Sequence, residues 1–173
     1  FSTSLQASED KVRTQLTGQL LNANTTYVDL FFYDNFIDFE EKAFRLSLDE
    51  NDQFQLELFL SEAKTITFTY NSQEQTLFLE PGDDLKMVYD VRFNESIPSF
   101  SGKGATNNKY LAEANKKFKQ YTPAFVRNLM SRTTSDDFKA QLDKIRSEKF
   151  RFFKQNCLSL STAFYAFAKA DID

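Results

Sequence analysis

A change of hydrophobic period near residue 100 constrains this chain more than any other feature of its sequence. Between residues 13 and 89, apolar side chains recur at every second position in about seven short segments. In residues 54–60, for example, four large apolar residues alternate with Gln55, Glu57 and Phe59. Turn-forming residues separate the segments, and one segment, residues 13–21, has Gly18 as a predicted break. Evenly spaced strands with one apolar face predict antiparallel sheets packed as a sandwich.

From residue 101 onward the period becomes about 3.6 residues, which is typical of helices. The first helical face carries Leu111 and Phe118 and is broken or kinked at Pro123, which lacks an N–H. Thr134 is a candidate N-cap for a second helix. Asn156-Cys157 is predicted to separate that helix from a third. We therefore predict an α+β chain with an antiparallel β-sandwich of about seven strands followed by two or three helices.

This pattern divides the chain into three predicted parts. Residues 1–12 are polar and Ser-rich and indicate a linker or disordered tail. Residues 13–100 are the sandwich, and residues 101–173 are a helical segment packed on or after it. The helical pattern is still running at the last residue. We expect a helical segment truncated at its C-terminus, and a fragment of a longer chain.

The composition excludes most catalytic chemistry. The 173 residues include no His, no Trp and one Cys, Cys157. A Ser-His-Asp triad, a Cys-His dyad, a histidine metal site, a CxxC pair and a zinc site built on several thiolates therefore cannot form. We predict a chain that is not itself an enzyme, with no catalytic, cofactor-binding or metal-binding residue and no cofactor. The 20 Phe residues are expected mainly in the core.

Charge is unevenly spread along the chain. Residues 1–100 carry 18 acidic and 7 basic residues, whereas residues 101–173 carry 7 acidic and 14 basic residues. A nucleic-acid surface is one interpretation of the basic half. A solvated helix face beside an acidic neighbour is the simpler one, because the whole chain is acidic and no recognition motif is present. We predict no nucleic-acid partner.

Several residue groups have both a structural and a functional interpretation. Cys157 is either a small buried hydrophobic residue, which we favour, or a reactive thiol. The acidic clusters at residues 38–41, 49–52 and 83–84 are predicted to be solvated turns rather than calcium or glycosidase carboxylates. Gly102-Lys-Gly104 is predicted to be a connector, because it lacks the remainder of a phosphate-binding motif.

Aromatic residues on the second face of the strands allow two interpretations. Phe31, Tyr33 and Phe59 would favour a binding surface if they formed an exposed patch. We expect them instead to lie beneath the helices and to cover the second face of a sheet.

One ordered series of motifs resembles a known family. Thr17-Gly18 lies in the first strand, Leu77-Phe-Leu-Glu-Pro-Gly-Asp83 forms a turn, and Phe100-Ser-Gly-Lys-Gly-Ala-Thr-Asn-Asn108 precedes Tyr110-Leu111. The series is similar to the N-terminal region of extracytoplasmic TlpA-like thiol-disulfide oxidoreductases of the Bacteroides group. In that family the corresponding sandwich and helical segment precede a thioredoxin-fold domain that carries CxxC.

The resemblance implies structural roles and no catalytic ones. Pro81-Gly82 would make a sharp turn, the glycines at 102 and 104 would let the chain leave the sandwich, and Asn107 and Asn108 would satisfy free N–H groups at a helix start. The motif residues carried over are Gly18, Pro81, Gly82, Asp83, Gly102, Gly104, Asn107, Asn108, Tyr110 and Leu111.

The function that the resemblance implies is a non-catalytic accessory domain for positioning, dimerisation or client recognition. Its partners would be a downstream thioredoxin domain of the same chain and a second copy or a client protein. The location would be periplasmic, with any membrane contact made through a lipid anchor outside these residues. The alternative is a stand-alone β-sandwich module on the cell surface that binds a sugar or a peptide.

Overall fold

The alternating segments form two four-stranded sheets in a computed structural model that describes residues 11–33, 41–93 and 96–172. Sheet A has the strand order β4-β1-β7-β8, and sheet B has the order β3-β2-β5-β6. The strands are β1 (Val12–Leu21), β2 (Tyr27–Tyr33), β3 (Glu41–Ser47), β4 (Gln53–Leu60), β5 (Lys64–Tyr70), β6 (Gln73–Leu79), β7 (Asp84–Asp90) and β8 (Ser99–Lys103). The predicted α+β sandwich is confirmed.

Two features of the sheets differ from the prediction. The central strand β1 pairs with β7 in parallel, while the other neighbouring strands pair antiparallel. Strand β8 occupies most of the stretch that we interpreted as a connector, and the predicted boundary at residue 100 falls inside it. The described residues therefore contain eight strands rather than about seven.

The sandwich core consists of the apolar faces that the alternation predicts. Phe68 of sheet B lies at its centre, where it is fully buried. Its ring stacks on Phe54 with centroids 5.7 Å apart and meets Tyr89 edge-on at 6.3 Å. Since offset and edge-on ring pairs add to the gain from burial, these aromatics join the two sheets directly.

The expectation that Gly18 breaks the first strand is wrong. Strand β1 is continuous, and Gly18 lies opposite Phe54 in the β1–β4 register. A Cβ atom at position 18 would lie 2.1 Å from the Phe54 ring. The glycine therefore leaves room for a large ring rather than ending the strand.

Four α-helices follow in the part of the chain that the structure describes, one more than the largest number predicted. They are α1 (Ala105–Phe118), α2 (Pro123–Arg132), α3 (Ser135–Asn156) and α4 (Thr162–Ala170), with a 3₁₀ turn at Cys157–Ser159. Pro123 is the first residue of α2 rather than a kink, and the Thr122 hydroxyl accepts a hydrogen bond from the N–H of Phe125. Thr134 caps α3 as predicted, by accepting from the N–H of Asp137.

The helices pack unequally against the sandwich. Residues from α1, α3 and α4 form a second apolar cluster with Phe78, which lies on the outer face of sheet B. Helix α2 has no buried residue, and α3 buries only Phe153. The α2–α3 hairpin is therefore anchored mainly at the C-terminal end of α3. Among the described residues, each helix falls short of the length or the apolar content needed to cross a bilayer.

Candidate functional site

The predicted Pro81-Gly82 turn is present and is tied to the first strand. The N–H of Asp83 donates to the carbonyl of Glu80 at 3.0 Å, and Gly82 has φ +80°. Positive φ at the third position of a turn is readily adopted by glycine. The N–H of Gly82 also donates to the Thr14 hydroxyl at 3.0 Å, so the turn is fixed to β1.

Asp83 is a buried capping group of this turn, so the expectation of a solvated acidic turn at residues 83–84 is wrong for Asp83. Its Oδ2 accepts a hydrogen bond from the N–H of Glu80 at 2.9 Å. Burial raises the pKa of the Asp83 carboxyl above its ordinary value, against the lowering effect of that hydrogen bond. A Cβ atom on Gly104 would lie 2.6 Å from the same Oδ2, and Gly104 has φ +93°. Position 104 therefore needs glycine both for its backbone and for the close approach of the carboxylate.

The Gly102-Lys103 stretch is part of β8 rather than a loop. Gly102 has φ +83°, and a Cβ atom there would lie 2.1 Å from the carbonyl oxygen of Asp84 on β7. The Lys103 ammonium donates to the carbonyl of Gly82 at 3.0 Å. Gly102 thus allows β7 and β8 to approach each other closely, and the hydrogen bond from Lys103 stabilises the Pro81-Gly82 turn.

Asn108 joins α1 to the edge of sheet B. Its side-chain Oδ1 accepts from the N–H of Phe78 at 2.8 Å, and its Nδ2 donates to the carbonyl of Phe78 at 2.7 Å. The amide also donates to the carbonyl of Gly104 at 2.9 Å. Since β6 is an edge strand, this side chain occupies the place of a neighbouring strand at Phe78.

Asn107 makes the second polar link of the helical segment. Its Nδ2 donates to Glu80 Oε2 at 2.9 Å and to the Ser161 hydroxyl at 3.0 Å, and its Oδ1 accepts from the N–H of Ser161. It therefore connects the turn after β6 with the start of α4. The expectation that Asn107 and Asn108 cap the free N–H groups of α1 is wrong, because Gly104 is the N-cap and both side-chain oxygens accept from N–H groups outside α1.

Tyr110 and Leu111 of α1 belong to the apolar cluster that the helices form with Phe78. Tyr110 lies 5.2 Å from the ring of Phe152 and 5.7 Å from that of Phe164, measured between centroids. Burial raises the pKa of the Tyr110 hydroxyl to about 12. A phenol with that pKa stays neutral, which suits a packing role.

Nine of the ten predicted motif residues therefore meet on one surface, which we call the seam. It consists of residues 80–83 and 102–111 with their partners Thr14, Phe78 and Ser161. Gly18 lies apart from it, beneath Phe54. Each contact described for the seam is structural. The sequence did not identify the contacts of Thr14 with Gly82 or of Glu80 and Ser161 with Asn107, because these pairs are distant along the chain.

The outer face of sheet B carries a groove of about 610 Å³ beside the helices. We call it the sheet B groove. Three hydroxyls of β5, those of Thr65, Thr67 and Thr69, lie along it. Its aromatic lining residues include Phe31, Tyr33, Phe78 and Phe167.

The expectation that Phe31, Tyr33 and Phe59 lie beneath the helices is wrong. Phe78, which we did not single out, is the aromatic that the helices cover. Tyr33 is 52% exposed beside the groove, and Phe59 is 56% exposed on sheet A. Since β2 leaves Phe31 and Tyr33 beyond the reach of α4 packing on β6, they line the groove rather than fill the helix interface.

The remaining candidate residues are Cys157 and the acidic clusters. Cys157 is half-buried beside the helical cluster rather than fully buried. Asp49 accepts from the N–H groups of Asn51 and Gln53, which makes its cluster a hydrogen-bonded turn. Asp38 and Glu40 lie outside the described residues. Within residues 11–33, 41–93 and 96–172, no three acidic or cysteine side chains are grouped as metal ligands would be.

Comparisons with known proteins assign no family to this chain. No protein-family model and no curated protein matches the sequence. A proposed cell adhesion protein from Bacteroides ovatus ATCC 8483 is similar with 11% identity over 54% of this chain and a TM-score of 0.34. A DUF3823 family protein from Parabacteroides merdae ATCC 43184 is similar with 12% identity over 47% of this chain and a TM-score of 0.29. The chain spans 43% and 45% of those two proteins, and likenesses this weak define neither fold nor function.

Proposed function

We propose that this chain is a non-catalytic interaction module that works outside the cytoplasm and recognises an extended polypeptide in the sheet B groove. The observation that carries the proposal is the groove itself. It has a hydroxyl-bearing floor, with aromatic rings on both sides of that floor.

The strand register places these groups within reach of one ligand. Thr67 of β5 lies opposite Phe31 on β2, and Thr65 lies opposite Phe78 on β6. A hydroxyl row flanked by rings suits a chain that offers alternating polar and apolar groups. An extended polypeptide has this character, and aromatic residues are favoured at such contacts.

We propose further that the module is an accessory domain of a TlpA-like thiol-disulfide oxidoreductase. The seam supports this, because it contains nine of the ten residues of the family-like motifs, and two of them, Asn107 and Asn108, link the helices to the sandwich. A rigid seam would hold a neighbouring redox domain in a constant direction relative to the groove. Unfolded client segments would then bind the groove while the redox domain acts on their cysteines.

The second candidate is a stand-alone surface module that binds a sugar. The specific observation in its favour is that Tyr33 is exposed at the groove next to Glu41. A ring face beside a carboxylate can stack on a sugar and accept hydrogen bonds from its hydroxyls.

Amide NMR titration distinguishes these candidates. The probes are reduced, carboxymethylated lactalbumin as an unfolded polypeptide and a set of neutral oligosaccharides. We expect the polypeptide to shift the amides of Thr65, Thr67 and Thr69. Tyr33→Ala and Phe167→Ala should weaken binding by about fivefold or more, as for central aromatic contacts. Phe150→Ala on the exposed side of α3 is the matched control and should leave binding unchanged.

Each outcome has a definite meaning. Shifts with oligosaccharide alone would support the sugar-binding candidate and overturn the polypeptide proposal. Shifts with neither probe would overturn the assignment of the groove. The redox context is tested separately by reading the coding sequence past residue 173. Absence of a thioredoxin domain with CxxC there would overturn the TlpA-like assignment, and reduction of insulin disulfides by these 173 residues would contradict the non-catalytic role.

A further inference from the structure

The edges of the two sheets are protected to different degrees. A strand at a sheet edge has backbone N–H and C=O groups that can pair with another chain, and proteins usually protect such edges. Asn108 bonds to the β6 edge at Phe78. Strand β8 is only five residues long and contains Gly102 with positive φ. Strand β3 places Lys42 on the same face as its core residues Phe44 and Leu46.

Beyond Gln53, whose outward groups bond to Asp49, strand β4 has none of these protecting features. Its eight residues, QFQLELFL, include no Gly, Pro or Lys, and its single charged residue is Glu57. Among the described residues, β1 is the only strand that pairs with it. It is therefore a long, regular edge with one charge.

The register shows which backbone groups of β4 point outward. The N–H of Leu20 donates to the carbonyl of Asp52, which makes that pair a hydrogen-bonded one. Since such pairs alternate along an antiparallel ladder, even-numbered residues of β4 bond to β1 and odd-numbered ones point away. Gln53 agrees with this, because its carbonyl accepts from Asp49 and its N–H donates to the Asp49 carboxylate. Gln55, Glu57 and Phe59 thus carry the outward groups that remain.

Gln55 and Phe59 lie symmetrically on either side of Glu57. The strand can therefore pair antiparallel with β4 of a second copy, with Glu57 at the centre of the pair. In an antiparallel pair centred there, Gln55 lies opposite Phe59 of a second copy, and all three residues exchange backbone hydrogen bonds. On the core face, Phe54 then lies opposite the second copy's Leu60, and Leu56 opposite its Leu58. Apolar residues therefore meet apolar residues along the whole core face of the paired strands.

We propose that two copies of this chain pair through β4 in this register, so that their A sheets form one continuous eight-stranded sheet. The two Glu57 side chains meet at the two-fold axis. Each is held by Arg13 of its own copy, whose Nε lies 2.5 Å from the Glu57 carboxylate. The arginines flank the two acids and offset part of their repulsion, and the match of apolar residues on the core face makes a second copy the partner that fits this strand.

Sedimentation equilibrium of the purified chain over a range of concentrations tests the pairing. We expect a reversible dimer that Gln55→Pro abolishes. Proline at an outward position removes an N–H that β1 does not use, so the variant should still fold, which far-UV circular dichroism checks. Gln55→Ala is the matched control and should still dimerise.

A second variant tests the register. Glu57→Gln removes the like charges at the axis and should tighten the dimer about two- to fivefold. A wild-type chain that stays monomeric would overturn the proposal, even if it bound another protein's strand. So would a dimer that survives Gln55→Pro, and weaker association of folded Glu57→Gln would overturn the register centred on Glu57.

Discussion

The sandwich and the helical segment are built on different principles. The sandwich buries both inner sheet faces in one continuous core that includes Leu16, Leu30, Phe68 and Tyr89. The helical segment has a smaller cluster that depends on Phe78, a residue of the sandwich. Since burial of apolar area is the main source of stability, the sandwich should be stable by itself and the helices should depend on it.

The largest effect on stability should come from removing one buried aromatic ring from each apolar cluster in turn. Phe68 and Phe164 are both fully buried aromatics, one in each cluster. Replacing a buried Phe by Ala costs about 3–5 kcal/mol. We expect Phe68→Ala to lower the unfolding free energy of the whole chain by that amount. Phe164→Ala should release the helices and change the unfolding free energy of the sandwich by less than about 1 kcal/mol, because the sheets keep their own core.

Hydrogen exchange measured residue by residue separates these two results. Amides of α1 and α4 should lose protection in Phe164→Ala while amides of β1 and β7 keep it. Equal loss in both regions would show instead that the chain unfolds as one cooperative unit.

Breaking the seam should have the next largest effect. Asn108→Ala leaves the buried N–H and C=O of Phe78 without their partner, and each such group costs about 1–3 kcal/mol. We expect urea unfolding to show a loss of about 2–4 kcal/mol. Asn115→Ala, an exposed amide on the same helix, is the control and should stay within about 0.5 kcal/mol of the wild type. A similar small loss for both variants would contradict the structural role of Asn108.

The smallest effect should be a pH dependence of opposite sign at two aspartates. Burial raises the pKa of Asp83 above its ordinary value of 3.8, so Asp83 stabilises the fold at low pH and loses that contribution as pH rises through its folded pKa. Hydrogen bonds from Arg92 lower the pKa of Asp90 to about 2, so its contribution is present above 3.8 and lost as pH falls toward 2. Side-chain NMR titration should give an Asp83 midpoint above 3.8 and an Asp90 midpoint near 2.

Urea unfolding at successive pH values between about 3 and 6 completes this test. Relative to Asp83→Asn, the wild type should lose stability as pH rises, because Asn cannot ionise. A parallel course for the two proteins would show that Asp83 is not desolvated in the fold.

Local pattern was enough to predict most strands and one helix cap, that of Thr134 on α3. Residues 54–60 and 64–70 each have one buried face, and such a face is directly visible as alternation. Strand β8 was missed because none of its residues is buried, so its pairing with β7 leaves no alternation. Thr122 before Pro123 could have indicated a new helix, since both residues favour a helix start.

Long-range pairings could not be predicted in the same way. The motif series located most of the seam residues, but the link from Asn108 to Phe78 joins positions 30 apart and has no periodic signal. The parallel pairing of β1 with β7 could not be predicted for the same reason, because the two strands are distant along the chain. The groove also depends on α4 covering part of sheet B and leaving the rest open, which is decided by packing of the whole chain.

The central place of β1 in sheet A has a consequence for the order in which the chain folds. Sheet B contains two pairs of consecutive strands, β2–β3 and β5–β6, so much of it can form by closing short loops. Sheet A instead requires β1 to meet β4 and then the much later β7. Because distant contacts form more slowly than local ones, we expect protected amides in a refolding chain to appear in sheet B first. Sheet A, which has the first strand of the sandwich in its interior, would be the second of the two sheets to form.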